Sequence, residues 1–227
     1  MAQVPESALE TIEVETGPRP AAAVLWLHGL GADGRDFEPV VPELRLPAAK
    51  PVRFVFPNAP QLPVTINMGM RMRAWYDILQ LGGGPEDDAG IRASQCRVEG
   101  LIAREVERGI PAGKIVLAGF SQGGAMALHT GLRYPERLAG IMALSTYVPI
   151  SKTLEAEMSQ PNRDVPIFMA HGTADPLIPL WLAGSSRQLL ERLGYDVQWH
   201  EYEMEHSVLW EEIAAISTWL EQVLAGA

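Results

Sequence analysis

A chain of 227 residues with 47% hydrophobic content can bury a core covered on both sides, and 28 acidic against 18 basic residues leave a net charge of −10. That balance excludes nucleic acid and anionic membrane as principal partners, since either demands a basic patch. A single cysteine, Cys96, excludes an internal disulfide, a zinc cluster and a Cys-x-x-Cys redox pair.

Met1 to Gly17 carries several acids and neither a basic stretch nor an apolar core, so it does not read as a secretory leader. It reads as a terminal arm, with Glu10 to Glu15 adding an edge strand. No apolar run approaches the length of a membrane span, and the expected setting is the cytosol. From there short apolar runs alternate with longer helical patterns. Strands are expected at Ala23 to Leu27, Arg53 to Phe56, Ile115 to Ala118, Ala139 to Leu144, Pro166 to Ala170 and Val197 to Tyr202. This rhythm predicts an α/β fold: one domain over residues 1–227, with a mainly parallel sheet and helices on both faces.

Among the helices, Asp88 to Arg108 places Ile91, Val98, Leu101, Ile102 and Val106 on one face, with Cys96 an inert packing residue inside the pattern. Leu182 to Leu193 ends at Gly194, and Ser207 to Leu224 has Ser207 as its cap. Trp210 and Trp219 on the last helix are expected to pack into the core, with a contact between copies as the other use. Pro57 to Glu86 is too long for an ordinary connection and holds Met68, Met70, Met72, Trp75 and Tyr76, which suit either the wall of an apolar groove or closure of the core. Gly82-Gly83-Gly84-Pro85 reads as a solvated turn.

Gly119-Phe120-Ser121-Gln122-Gly123 stands directly behind one expected strand and directly before the helix-prone Gly124 to Leu128. A serine on so sharp a turn exposes its hydroxyl above the N-terminus of the new helix, which is a nucleophile's position. The two glycines let strand and helix approach without β-carbons colliding.

A serine hydroxyl attacks only when a histidine takes its proton, and the imidazole needs a carboxylate to fix its tautomer. In a parallel sheet such groups collect in loops just after strands. Of the five histidines, His206 passes this filter, between Val197 to Tyr202 and the final helix. His200 falls inside a strand and His129 inside a helix. His28 and His171 each precede a glycine at a bend and are expected to make structural hydrogen bonds. Asp164 and Asp196 precede strands, on the wrong edge, whereas Asp175 follows one in His171-Gly172-Thr173-Ala174-Asp175-Pro176. The order Ser121, Asp175, His206 is that of α/β-hydrolases. An oxyanion would need two N–H donors: Gln122, the residue after the serine, and Leu30 in His28-Gly29-Leu30-Gly31-Ala32-Asp33-Gly34.

That last loop also spells G-x-G-x-x-G after a strand, the fingerprint of a dinucleotide site. Such a site places a carboxylate at the tip of the next strand, where this chain has Pro57-Asn58. The rival also leaves the serine constellation unexplained.

With Leu27-His28-Gly29-Leu30-Gly31, Pro57-Asn58-Ala59-Pro60, Trp75-Tyr76-Asp77, Gly119 to Ala125 and His171 to Pro176 in view, the chain from Ala22 to Leu224 resembles the phospholipase/carboxylesterase family of α/β-hydrolases. The resemblance implies Ser121 as nucleophile, Asp175 and His206 as its partners, and Leu30 and Gln122 as oxyanion donors. It implies hydrolysis of short to medium acyl esters without metal or cofactor, and homodimers among members. The whole chain looks more like the bacterial esterases, and the serine after His206, where animal thioesterases of the family carry a cysteine, weakens a protein-depalmitoylase reading. Thioesterase or lysophospholipase activity is the alternative, and a non-catalytic acyl-binding domain a more distant one. No large lid domain fits, so an open groove is expected, with Leu62, Ile66, Met68, Trp75, Tyr147 and Trp181 touching the acyl chain.

Overall fold

The computed structural model describes residues 9–80, 82 and 84–226. In chain order the elements are β1 (Thr11–Glu15), β2 (Ala22–Leu27), β3 (Val52–Pro57), β4 (Gln61–Val64), β5 (Met70–Arg73), α1 (Asp88–Glu107), β6 (Ile115–Phe120), α2 (Gln122–Gly131), β7 (Gly140–Leu144), α3 (Leu154–Glu157), β8 (Ile167–Gly172), α4 (Leu180–Arg192), β9 (Val197–Tyr202) and α5 (Trp210–Gly226). Single-turn 3₁₀ segments and a longer one at Glu38–Leu44 fill the connections.

Seven strands form one sheet in the order β1-β3-β2-β6-β7-β8-β9, parallel throughout except for β1, which pairs antiparallel with β3. Every residue of β2, β3, β7 and β8 is buried, because helices cover both faces and an inner parallel strand has no solvent side. Two apolar clusters result, one on each face. Leu25, Leu117, Ile141 and Met169 meet α1, α2 and α4 on one side, while Trp26, Phe54, Met142 and Phe168 meet α5 on the other. The chain runs outward from β2 to β3 in one direction and from β6 to β9 in the other. The sheet's switch point therefore lies between β2 and β6, where a crevice opens at the carboxyl ends.

Five expectations are corrected. The segment from Pro57 to Glu86 is not a loop throughout: β4 and β5 form a separate antiparallel hairpin with Val64 opposite Met70, and Met68 sits at its left-handed turn, φ 56°. Val106 is exposed, because the inward position in the last turn of α1 belongs to Glu105, which takes hydrogen bonds from Arg53 and Arg108. Cys96 is exposed on α1, opposite the buried Ser94 and Val98, and packs nothing. Ser207 does not cap the last helix. Residues 203–209 are spent in turns, and the helix begins where Leu209 O first accepts from Ile213 N. Trp219 is core as expected, but Trp210 in the first turn of α5 is 69% exposed.

Candidate active site

Ser121 follows β6 at the switch point with φ 54° and ψ −121°, a conformation that costs on the order of 1–3 kcal/mol and persists only where the surroundings enforce it. They do. Ser121 N–H donates to Leu144 O at 2.8 Å, and Ser121 O accepts from Thr146 Oγ1 at 2.7 Å and from Ala125 N at 3.0 Å. The flanking glycines allow the approach: a β-carbon on Gly119 would lie 2.2 Å from Gly123 C, and one on Gly123 would lie 2.2 Å from Leu27 O. The spacing of the five-residue motif is therefore a steric requirement of this turn.

Asp175 and His206 meet across the loops after β8 and β9. Asp175 Oδ2 lies 2.6 Å from His206 Nδ1, and the carboxylate makes that nitrogen the donor, leaving the Nε2 lone pair free to accept a proton. The other oxygen, Oδ1, accepts from the N–H groups of Leu177 and Ile178, both at 2.9 Å, so the carboxylate is held from both ends. Its side chain is fully buried, and the Phe120 ring, 4.8 Å from the His206 ring, closes the other side of the imidazole. His171 lies nearby, with Nε2 3.6 Å from Asp175 Oδ2, but donates to Ile178 O at 2.8 Å. Burial lowers its pKa and keeps it neutral, so it braces the carboxylate loop without competing for its charge.

On the opposite side, His28 Nδ1 donates to Gly29 O at 2.6 Å and Nε2 accepts from Ala59 N at 3.0 Å. Burial lowers its pKa also, in keeping with a neutral structural ring. The loop behind it commits Gly31 N–H to Arg73 O and Ala32 N–H to Gly29 O. Among the described residues Leu30 N–H makes no backbone hydrogen bond. Gln122 opens α2, where the first N–H groups have no intrahelical acceptor. These are the two donors the sequence singled out, and both residues line the same cleft as Ser121 and His206.

The cleft holds about 900 Å³. Leu30, Ile66, Ile78, Leu79, Leu177 and Ile178 supply apolar wall, and Tyr76, Tyr147, Glu86 and Lys152 a polar end. Of the expected acyl contacts, Ile66 and Tyr147 line it. The other four do not. Trp75 is fully buried, its indole N–H donating to His28 O at 2.9 Å; Met68 is 96% exposed at the hairpin turn; Trp181 points outward from α4; Leu62 is half-buried in β4. Leu177 and Ile178 escaped the sequence reading, although their place just after Asp175 was a signal. A second cavity, about 720 Å³, lies at the opposite edge of the sheet and includes Asp196, in keeping with that aspartate's place before its strand.

Chemically, a hydroxyl on a strained turn, a carboxylate-bound imidazole with a free lone pair, and two cleft-lining residues whose N–H groups have no backbone acceptor can support acyl transfer through a covalent ester. No group of three or more metal-ligating side chains occurs among the described residues, and no helix there is long and apolar enough to cross a membrane.

Comparison with known proteins agrees in kind. The model of the Phospholipase/Carboxylesterase family matches residues 9–224. Acyl-protein thioesterase 1 of Neurospora crassa is 42% identical over 216 residues, covering 91% of this chain and 88% of the relative. Acyl-protein thioesterase 1 of Yarrowia lipolytica is 43% identical over 207 residues, with 88% and 91% covered. The crystal structure of Arabidopsis thaliana SOBER1 superposes with a TM-score of 0.85 at 29% identity, over 89% of this chain and 99% of that one. The two fungal relatives carry the thioesterase name, where the sequence resemblance had pointed towards the bacterial esterases. The chain belongs to the phospholipase/carboxylesterase family and is a serine hydrolase on a single α/β-hydrolase domain.

Proposed function

We propose that this enzyme hydrolyses acyl thioesters, with S-acylated proteins as the substrate class, and cleaves carboxylic esters of the same acyl chains through the same intermediate. The observation that carries the chemistry is the 2.6 Å contact between His206 and Asp175 beside a cleft that also receives Ser121. In this reading His206 Nε2 takes the proton of Ser121 Oγ as the oxygen attacks the acyl carbonyl. The N–H groups of Leu30 and Gln122 stabilise the oxyanion. Collapse breaks the bond to the leaving sulfur or oxygen, which receives the proton from His206, and water repeats the sequence to release the acid.

The names of the relatives support thioester over oxygen ester as the principal bond, and the apolar wall supports an aliphatic acyl group. The lone, exposed thiol of Cys96 suits a reducing compartment such as the cytosol. A non-catalytic acyl-binding role is disfavoured by the strained serine, which binding alone would not require.

A fluorophosphonate should add covalently to Ser121, and S-octanoyl peptides and p-nitrophenyl octanoate should both be turned over. An intact-mass spectrum with no adduct, or peptide mapping that places it elsewhere, would overturn the reading.

A further inference from the structure

His206 stands between two cavities. Besides the main cleft, a groove of about 450 Å³ is lined by Asp36, Phe37, Val40, Val208, Trp210 and Ile213, and shares Asp36, Phe120 and His206 with the cleft. The chemistry gives the two spaces different uses. The imidazole that deprotonates the serine must hand that proton to the departing atom, so the leaving group has to lie on the imidazole's side of the reacting carbon. The acyl chain occupies the apolar cleft, and the space beyond His206 remains for the leaving group.

We infer that this groove is the leaving-group subsite and that it selects a thiol carried by a peptide with lysine or arginine beside the acylated cysteine. The inference rests on the function proposed above. Three features of the groove point to a cation with apolar surroundings. Asp36 is its only formally charged lining residue other than the imidazole, and among the described residues its carboxyl has no ion-pair or hydrogen-bond partner. The residue is exposed at the edge of the groove, so an incoming cation can reach the carboxyl directly. The nearest guanidinium in sequence, Arg35, is paired to Glu38 at 3.5 Å. Trp210, 69% exposed, has no ring partner among the described residues and offers an indole face to a guanidinium or ammonium. Asp33, Glu205 and Glu211, all exposed and each within three residues of a lining residue, add to the negative field, in a chain of net charge −10. Phe37, Val40, Val208 and Ile213 supply apolar surface for the peptide's neighbouring side chains.

The test compares kcat/KM on three S-octanoyl peptides that differ only in lysine, glycine or glutamate on both sides of the cysteine, with p-nitrophenyl octanoate as a fourth substrate. The wild-type enzyme should favour lysine over glutamate about tenfold at low salt, and the ratio should shrink in about 0.5 M sodium chloride. Trp210→Ala and Asp36→Asn should each reduce the lysine-to-glutamate ratio about threefold or more. Equal rates on the three peptides, with the nitrophenyl ester still cleaved, overturn the subsite while leaving the proposed function standing. Failure on all four substrates removes both. A ratio untouched in both variants, with sedimentation showing that Trp210→Ala dissociates a dimer, would make the groove a contact between copies and defeat the inference. So would indifference to peptide charge combined with a preference for choline over glycerol headgroups on lysophospholipids.

Discussion

The side-chain carbonyl of Gln122 accepts the Trp75 N–H at 2.8 Å while its amide donates to Tyr76 O, also at 2.8 Å. The residue after Ser121 is thereby fastened to the 75–76 backbone. The indole of the same Trp75 reaches the other way, donating to His28 O at the mouth of the Leu30 loop. One buried tryptophan thus ties together the two loops that carry the proposed oxyanion donors. This explains why Trp75, expected to touch the acyl chain, is needed inside the protein instead.

Gln122→Ala would strand Trp75 N–H and Tyr76 O in a buried site. Two orphaned backbone groups should destabilise the protein by about 2–4 kcal/mol. The donor at position 122 keeps its N–H but loses its fixed orientation, and kcat should fall about tenfold or more. Urea unfolding together with steady-state kinetics reads both effects. Unchanged stability would show that the side chain is not the clamp.

Gly123→Ala places a β-carbon 2.2 Å from Leu27 O and 2.6 Å from His28 O, both backbone atoms of the strand and loop next to Ser121. Neither can move without shifting β2 against β6. A loss of about 3 kcal/mol or more is expected, or failure to fold. Gly100→Ala is the matched control, since a β-carbon there meets nothing within 4 Å, and in α1 it should stabilise by about 0.5–1 kcal/mol. Thermal melts of the two variants should move in opposite directions.

The contrast between these glycines shows what was legible from the sequence. Inner strands such as β2 and β7 read as unbroken apolar runs because both faces are covered, and the glycines around Ser121 read through their spacing. The hairpin of β4 and β5 did not, because it pairs only with itself, each strand is four residues long, and of the two only β4 alternates, with Leu62 and Val64 inward, while Met68 and Met70 turn to solvent. Val106 was misplaced because the neighbouring Glu105 is drawn inward by Arg53, a partner 52 residues away on β3, against the usual preference of a carboxylate for water. The acyl wall was hardest. Leu177 and Ile178 have the same apolar character as core residues, and their nearness in sequence to Asp175 was the one sign that they line the cleft.

Asp175→Asn isolates the electrostatic part of the site. The Asn side-chain oxygen can still accept from Leu177 and Ile178, so the loop should hold and stability should change by no more than about 1 kcal/mol. The amide, however, would donate towards His206 Nδ1. It would thereby favour the tautomer whose Nε2 carries a hydrogen and cannot act as base. A fall in kcat of about 10⁴ is expected. Near-normal turnover in a correctly folded variant would separate Asp175 from the chemistry.

A last prediction concerns Glu212, in the first turn of α5 a few residues beyond His206. Its side chain is fully buried, neither carboxyl oxygen has a well-formed hydrogen bond, and burial pushes its pKa from 4.5 up to about 8, against only slight support from the Leu209 backbone. The folded protein therefore holds a proton on Glu212 at pH 7, whereas the unfolded chain has released it. Below pH 4.5 both states are protonated and the group costs nothing through ionisation. Between 4.5 and about 8 the unfolded state binds fewer protons, so this group makes stability decline as pH rises, by on the order of 5 kcal/mol across the window. Above that the folded state ionises too and the decline levels off. Glu212→Gln keeps the shape without the charge, so its stability relative to wild type should improve steadily from pH 5 to pH 8 and then hold constant. Urea midpoints of both proteins at half-unit pH intervals measure this difference directly, and a difference independent of pH would show that Glu212 ionises alike in both states.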